Sequence, residues 1–349
     1  MPKLSAIQAG IAKLPDDQPI VAAIAGGTTG IGSYIAKELA KVFALKGPKL
    51  RVYIIGRNAE RAESVLSEGK EISPGSDWRF VEASDLALIS EVDRASKEII
   101  RQENEAPLSG GLARLDMLYM THSYSLFAPR LKTKEGLDAF MSTLYYSRIR
   151  FITQLMPLLT SSPSQSHVIS VYAGSFEEVK DAEASIGCPS DDDYGIGTVR
   201  RNTTYMKNFI FEELANKHAG KVSFVHIYPG LVDGPGFYHP DHPLWWKIVW
   251  RLVYPIAWLA YITSPEVCGQ VMVNLATERY PAKGNQGGSS DVEMATNGEL
   301  GGGCYGVGQR GDSGNKKGKS FVKFRPEGIT KKAWDHTMDT LDSIERENR

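Results

Sequence analysis

The apolar run Ile20 to Ala25 leads straight into the glycine-rich stretch GGTTGIG, and residues of helical periodicity follow as far as Phe43. A strand, a glycine turn and a helix in that order open a βαβ unit. Gly26, Gly30 and Gly32 stand where the chain must turn tightly, admit a ligand to the backbone and bring helix against strand. Each step needs a residue without a Cβ. The helix start then offers unpaired N–H groups and the positive end of its dipole, a ready seat for phosphate.

The remaining pattern extends that unit. Arg51 to Ile55, Trp78 to Glu82, Leu115 to Met120, His167 to Tyr172 and Val222 to Tyr228 read as five more strands with helical stretches between them. Strands alternating with helices predict an α/β fold, a Rossmann-type doubly wound parallel sheet with helices on both faces and ligands outside the carboxyl ends of the strands. Leu4, Ile7, Ile11 and Leu14 have helical spacing, so residues 1–18 are expected to form an N-terminal helix ahead of a main domain over 19–280. Residues 281–320 are rich in Gly, Ser, Asn and Lys and read as a flexible excursion without regular structure, either a lid or a tolerated insertion. Periodicity returns from Ile329 to Ile344, predicting a C-terminal helical extension over 321–349.

Composition narrows the partners. Forty basic and 41 acidic residues nearly cancel, so no net field draws the chain to nucleic acid or to an anionic membrane, and a small molecule is the expected partner. The three cysteines, Cys188, Cys268 and Cys304, are widely spaced and odd in number, which predicts neither a disulfide framework nor a metal site and suits the reducing cytoplasm. Pro243 to Tyr261 holds four of the six tryptophans, but Lys247, Arg251 and Pro255 interrupt it. That argues against a transmembrane span and for a buried or lid helix, with a membrane-surface helix as the alternative.

The second strand ends in Gly56-Arg57-Asn58, where an NAD site would place an acid for the ribose 2′-hydroxyl. An arginine pairs instead with a 2′-phosphate, so NADP(H) is the predicted cofactor, with Arg61 one turn further on. Asp85, beside Leu86 after the third strand, is suited to accept from the adenine amino group or, alternatively, to cap a helix. GGTTGIG, Arg57, Asp85-Leu86, LDML at Leu115 to Leu118 and Pro229-Gly230 together resemble the short-chain dehydrogenase/reductase family from about Ile20 to Thr277. The GVGQ stretch around Gly306, AWDHT around Trp334 and YYSRIRF at Tyr145 to Phe151 resemble a fungal secondary-metabolism subgroup. The resemblance implies a cofactor held by Gly26, Thr28, Thr29, Gly30, Ile31, Gly32, Arg57, Asn58, Asp85, Leu86, Thr121, Pro229, Gly230 and Val232, in a chain that forms a homo-oligomer.

Family members use a tyrosine acid/base with a lysine four residues on, because a phenol of pKa about 10 transfers protons poorly near neutrality without a nearby cation. No tyrosine in this chain is followed by such a lysine. Tyr194 stands at the expected place with Thr198 four residues later, and Arg200 and Arg201 are the nearest cations. The family serine falls on Ala173, which leaves Ser175 and Tyr172 as the nearby hydroxyls. Met120-Thr121-His122-Ser123 replaces the family's NNAG, Leu144 its helix asparagine, and Gly234 a threonine. The candidates for proton transfer rank Tyr194 first, Ser175 and Tyr172 next, and His122 last, each with a structural role as the competing reading.

Residues 235–264 are aromatic and aliphatic and fall where the resemblance implies a substrate lid, suiting a bulky apolar substrate of polyketide, terpenoid or alkaloid type. The leading expectation is an NADP(H)-dependent oxidoreductase working on a carbonyl or hydroxyl carbon. A non-redox cyclase, isomerase or dehydratase and a non-catalytic cofactor-binding protein are the alternatives, and fold alone does not choose among them.

Overall fold

The computed structural model describes residues 2–14, 18–124, 129–172, 181–238, 242–285, 291–312 and 325–347. Among the described residues the strands in chain order are β1 Ile20–Ala25, β2 Leu50–Gly56, β3 Asp77–Glu82, β4 Met117–Met120, β5 Ser166–Val171, β6 Val222–Ile227, β7 Leu231–Val232, β8 Ile262–Thr263 and β9 Cys304–Val307. The helices are α1 Leu4–Ile11, α2 Ile31–Val42, α3 Ala59–Ile72, α4 Ile89–Glu105, α5 Ser147–Thr160, α6 Ile196–Lys217, α7 Leu244–Ala260, α8 Pro265–Asn274 and α9 Ile329–Glu347. A short helical turn, Ala139–Met141, and a π-helical turn, Ser142–Tyr146, lead into α5.

Seven strands form one parallel sheet in the order β3-β2-β1-β4-β5-β6-β9, and β7 pairs with β8 beside it. Successive residues of β1 feed opposite faces. Val21, Ala23 and Ala25 join a core shared with α4, α5, α6 and α9. Ala22 and Ile24 join a second core with α1, α2, α3 and α8. Burial on both sides explains why β1 reads as an unbroken apolar run rather than an alternating one. The winding direction reverses between β1 and β4, opening a crevice at their carboxyl ends, the usual ligand position in such sheets.

The six predicted strands all form, with shifts of one or two residues at their ends. The flexible excursion does not survive as one: Cys304–Val307 inside it is a fully buried strand whose register on β6 runs from Phe224↔Cys304 to Ile227↔Val307. Tyr280, Ala282 and Ala295 are buried nearby. Three apolar residues among glycines carry too little periodicity to announce a strand, and β6 supplies the pairing that makes them one. The buried role expected for α7 is also corrected. Trp250 is buried, but most of the large apolar residues of that helix face outward. Among the described residues no helix is long and apolar enough to cross a membrane.

Candidate active site

The glycine turn leaves β1 with the amides of Gly26 and Gly27 donating to the Ile55 carbonyl at 2.9 and 3.2 Å. Gly26 and Gly30 take positive φ values of 80° and 58°, and a Cβ on Gly32 would lie 2.3 Å from the Gly26 carbonyl oxygen. Gly30 caps α2 with no side chain of its own, and nothing lies within 4 Å of where its Cβ would be. Thr29 is exposed at the crest, Thr28 and Ile31 are half-buried, and Thr28 abuts Gly56 at the end of β2. Glycine is therefore demanded on the inner side of the turn by packing and left open on the outer side, where the first amides of α2 face the crevice.

Arg57 emerges exposed from β2, and neither it nor Arg61 pairs with a carboxylate among the described residues. The Asn58 side chain is already committed, accepting from the Arg61 amide at 2.8 Å as the N-cap of α3. Asp85 accepts from the Ala87 amide at 2.9 Å through one carboxylate oxygen, and Leu86 packs on the core. Asp85 does not cap α4, because Glu135 reaches that helix from a distant loop and accepts from Ile89 and Ser90 at 2.6 and 3.0 Å. Thr121 also braces the turn: its hydroxyl donates to the Ala25 or Gly26 carbonyl at 3.0 and 3.1 Å.

Arg148 organises the carboxyl ends of the central strands. This fully buried guanidinium donates to the carbonyls of Thr143, Val171 and His122 at 3.1, 2.8 and 2.6 Å and to Ser170 Oγ at 2.7 Å. It thereby ties the π-helical turn, β5 and the end of β4 together. Burial pushes its pKa down to about 9, so it remains charged at neutral pH. Lys207 of α6 is buried in the same region, and burial followed by Arg148 holds its pKa well below the usual lysine range. Among the described residues no carboxylate pairs with either cation.

Of the residues ranked for proton transfer, Ser175 lies outside the described residues. His122 is enclosed, with Nε2 2.8 Å from Ser147 Oγ, and burial followed by Arg148 keeps it neutral. Tyr194 lies under the Arg130 guanidinium at 3.9 Å from the ring centre, and burial followed by hydrogen bonding to Asp138 raises its pKa. Tyr172 directly follows β5 with φ 148°, a strained backbone for a non-glycine residue. Its hydroxyl is buried without a partner among the described residues. Arg200 sits 5.0 Å from its ring centre. Burial raises the Tyr172 pKa, while Arg200 and Arg148 pull against that rise.

The far wall of the crevice follows β6. Gly230 takes φ 73°, and a Cβ there would lie 2.6 Å from Gln309. Gln309 donates to Thr263 Oγ1 at 2.5 Å, so the GVGQ stretch locks the Pro229-Gly230 turn against β8. Val232 packs on the second core, and the Asp233 carbonyl accepts from Tyr34 of α2 at 3.0 Å. Gly234 lies against the same tyrosine, whose hydroxyl would be 2.6 Å from any Cβ there. A side chain at that position would require the Tyr34 hydroxyl to shift. Sequence reasoning passed over Arg148, Lys207, Tyr34 and Gln309; only Arg148 and Gln309 lie in stretches it singled out, YYSRIRF and GVGQ.

No family model matches the chain. The short-chain dehydrogenase/reductase SAT2 of Stachybotrys chartarum is 55% identical to it, over 100% of this chain and 99% of that one. The chain belongs to the short-chain dehydrogenase/reductase family. An oxidoreductase of Emericella nidulans is 32% identical, covering 97% of each chain, and the oxidoreductase andH of Emericella variicolor is 32% identical over 99% and 98%. Among solved structures, L-sorbose reductase of Gluconobacter frateurii, described in complex with NADPH and L-sorbose, aligns with a TM-score of 0.54. It is 18% identical and covers 86% of this chain and 97% of its own. RhlG of Pseudomonas aeruginosa, described as an NADP complex, aligns with a TM-score of 0.51 at 21% identity, over 75% and 90%. The chain holds no tyrosine with a lysine four residues on, and its Tyr194 and Tyr172 rings lie against the Arg130 and Arg200 guanidiniums.

Proposed function

We propose that this short-chain dehydrogenase/reductase uses NADP(H) to act on a carbonyl or hydroxyl carbon of a bulky apolar secondary metabolite. The observation that carries the proposal is Arg57, an exposed guanidinium with no carboxylate partner among the described residues, at the strand end nearest the glycine turn. The fit of a dinucleotide rests on the open outer side of Gly30 and the uncapped amides of α2. Those amides would receive the pyrophosphate, Arg57 and Arg61 the 2′-phosphate, and the second carboxylate oxygen of Asp85 the adenine amino group. The oxidoreductase names of the fungal relatives and the NADP(H) complexes of the two structural neighbours support the same reading.

Held by those residues, a nicotinamide cofactor would supply hydride chemistry at the substrate carbon. The protein must then deliver or remove one proton at the substrate oxygen. Tyr172 is the favoured carrier, because its buried hydroxyl has no partner among the described residues and two guanidiniums oppose the rise in its pKa. A phenol with a raised pKa keeps its proton at neutral pH, and donation to an alkoxide is downhill, which favours carbonyl reduction over alcohol oxidation. Tyr194, held by Asp138 and Arg130, is the second candidate. Phe237, Trp246, Trp250 and Tyr254 form an aromatic stack beyond β7, with Trp250 lying 4.1 Å from Phe237 and 5.7 Å from Trp246. Such a wall suits an apolar substrate.

The test incubates the purified protein with NADPH and a panel of apolar ketones and aldehydes, following reduced-cofactor absorbance and product mass together. Cofactor loss matched by a product carrying two additional hydrogens is expected. A rearranged or dehydrated product with no cofactor loss would instead select a non-redox catalyst.

A further inference from the structure

Helix α7 spans Leu244–Ala260, about 25 Å along its axis, and contains no acidic residue. Its inward side is fixed by Trp246, Trp250 and Tyr254, spaced four residues apart, with Trp250 stacked on Phe237 at 4.1 Å and 13°. The opposite side carries Leu244, Ile248 and Leu252 in the same spacing, and they are 73%, 54% and 72% exposed. Trp245 extends this surface at 59% exposure. Lys247 and Arg251, both exposed and one turn apart, fall at 100° per residue on the border between the two sides.

We infer that α7 lies on the surface of a membrane bearing anionic headgroups, independently of whatever reaction the crevice performs. A contiguous apolar face of this kind marks an interaction site. Two features choose lipid over a second copy of the chain. Cations without any acid on the helix complement anionic headgroups, whereas two such faces brought together oppose like charges. Tryptophan at the edge of an aliphatic stripe suits the boundary between headgroups and acyl chains. The helix is too short and too interrupted by Lys247, Arg251 and Pro255 to cross the bilayer, so on a membrane it would lie along the surface.

The experiment sediments the full chain with vesicles of phosphatidylcholine, with and without an equal share of phosphatidylglycerol, while tryptophan emission and light scattering are recorded. Binding to the anionic vesicles with a blue shift is expected, with weaker binding to phosphatidylcholine alone. The Lys247→Glu/Arg251→Glu variant should lower partitioning about fivefold or more for each cation removed. The Ile248→Ser/Leu252→Ser variant should abolish binding while keeping the circular dichroism and melting temperature of the parent, because both positions are exposed. Absence of vesicle binding by the parent chain would overturn the proposal. So would an oligomer that the serine variant dissociates, since the face would then belong to a second copy.

Discussion

At the scale of single residues, Arg148 exerts the widest influence. Its donors satisfy the carbonyls of His122, Val171 and Thr143, and leucine there would leave those buried acceptors unpaired. Unsatisfied buried acceptors cost about 1–3 kcal/mol each, so Arg148→Leu should lower stability by about 3 kcal/mol or more in urea unfolding. A change below about 1 kcal/mol would mean that water replaces the guanidinium. Tyr172 and Tyr194 are separated by kinetics: Tyr172→Phe should cut kcat by roughly a hundredfold or more, and Tyr194→Phe by less than about tenfold. The reverse ranking would move the proton carrier to Tyr194. None of this was legible as environment in the sequence. YYSRIRF and Tyr172 were visible as residues, but a guanidinium's carbonyl partners come from β4, β5 and a π-helical turn that no local periodicity announces.

At the scale of elements, the glycine turn was the most legible feature, because its constraints are local: absent side chains, positive φ and a helix start. The structure divides those glycines into two groups. Gly32→Ala drives a Cβ into the Gly26 carbonyl and should destabilise the fold by about 1–3 kcal/mol. Gly30→Ala meets no neighbouring atom, so its cost is backbone strain of about 1–3 kcal/mol together with obstruction of the crevice. It should stay folded and lose dinucleotide binding at least tenfold, as read by thermal melting with and without NADPH. Unchanged NADPH protection in Gly30→Ala would place the cofactor elsewhere. The strands of the central sheet were readable because burial on both faces makes them continuous apolar runs. Strand β9 was not, because CYGV becomes a strand only through β6, and α7 was read as a buried or lid helix, with a membrane-surface helix as the alternative, because hydrophobicity alone does not say which face finds a partner.

At the scale of the whole molecule, buried basic groups make the fold sensitive to acid. Burial pushes His167 down to about 4 and His226 to about 3, and it lowers His122 as well. Unfolded histidines bind protons from about pH 6.5 downward, whereas the folded ones refuse them until their own lower pKa values. The stability these groups contribute is therefore complete above about pH 6.5 and declines toward pH 4, by about 1.4 kcal/mol per pH unit for each histidine. His226→Phe should flatten that decline in urea unfolding across pH 6.5 to 4.5, and an unaltered slope would assign acid sensitivity to other groups. The central claim, that a dinucleotide carrying a 2′-phosphate rests between the start of α2 and Arg57, has a direct measurement. Titration of the parent chain and Arg57→Asp with NADPH and with NADH should show the substitution weakening NADPH by roughly ten- to a hundredfold while leaving NADH nearly unchanged. Equal weakening of both, or no binding of either by the parent chain at millimolar concentration, would contradict it.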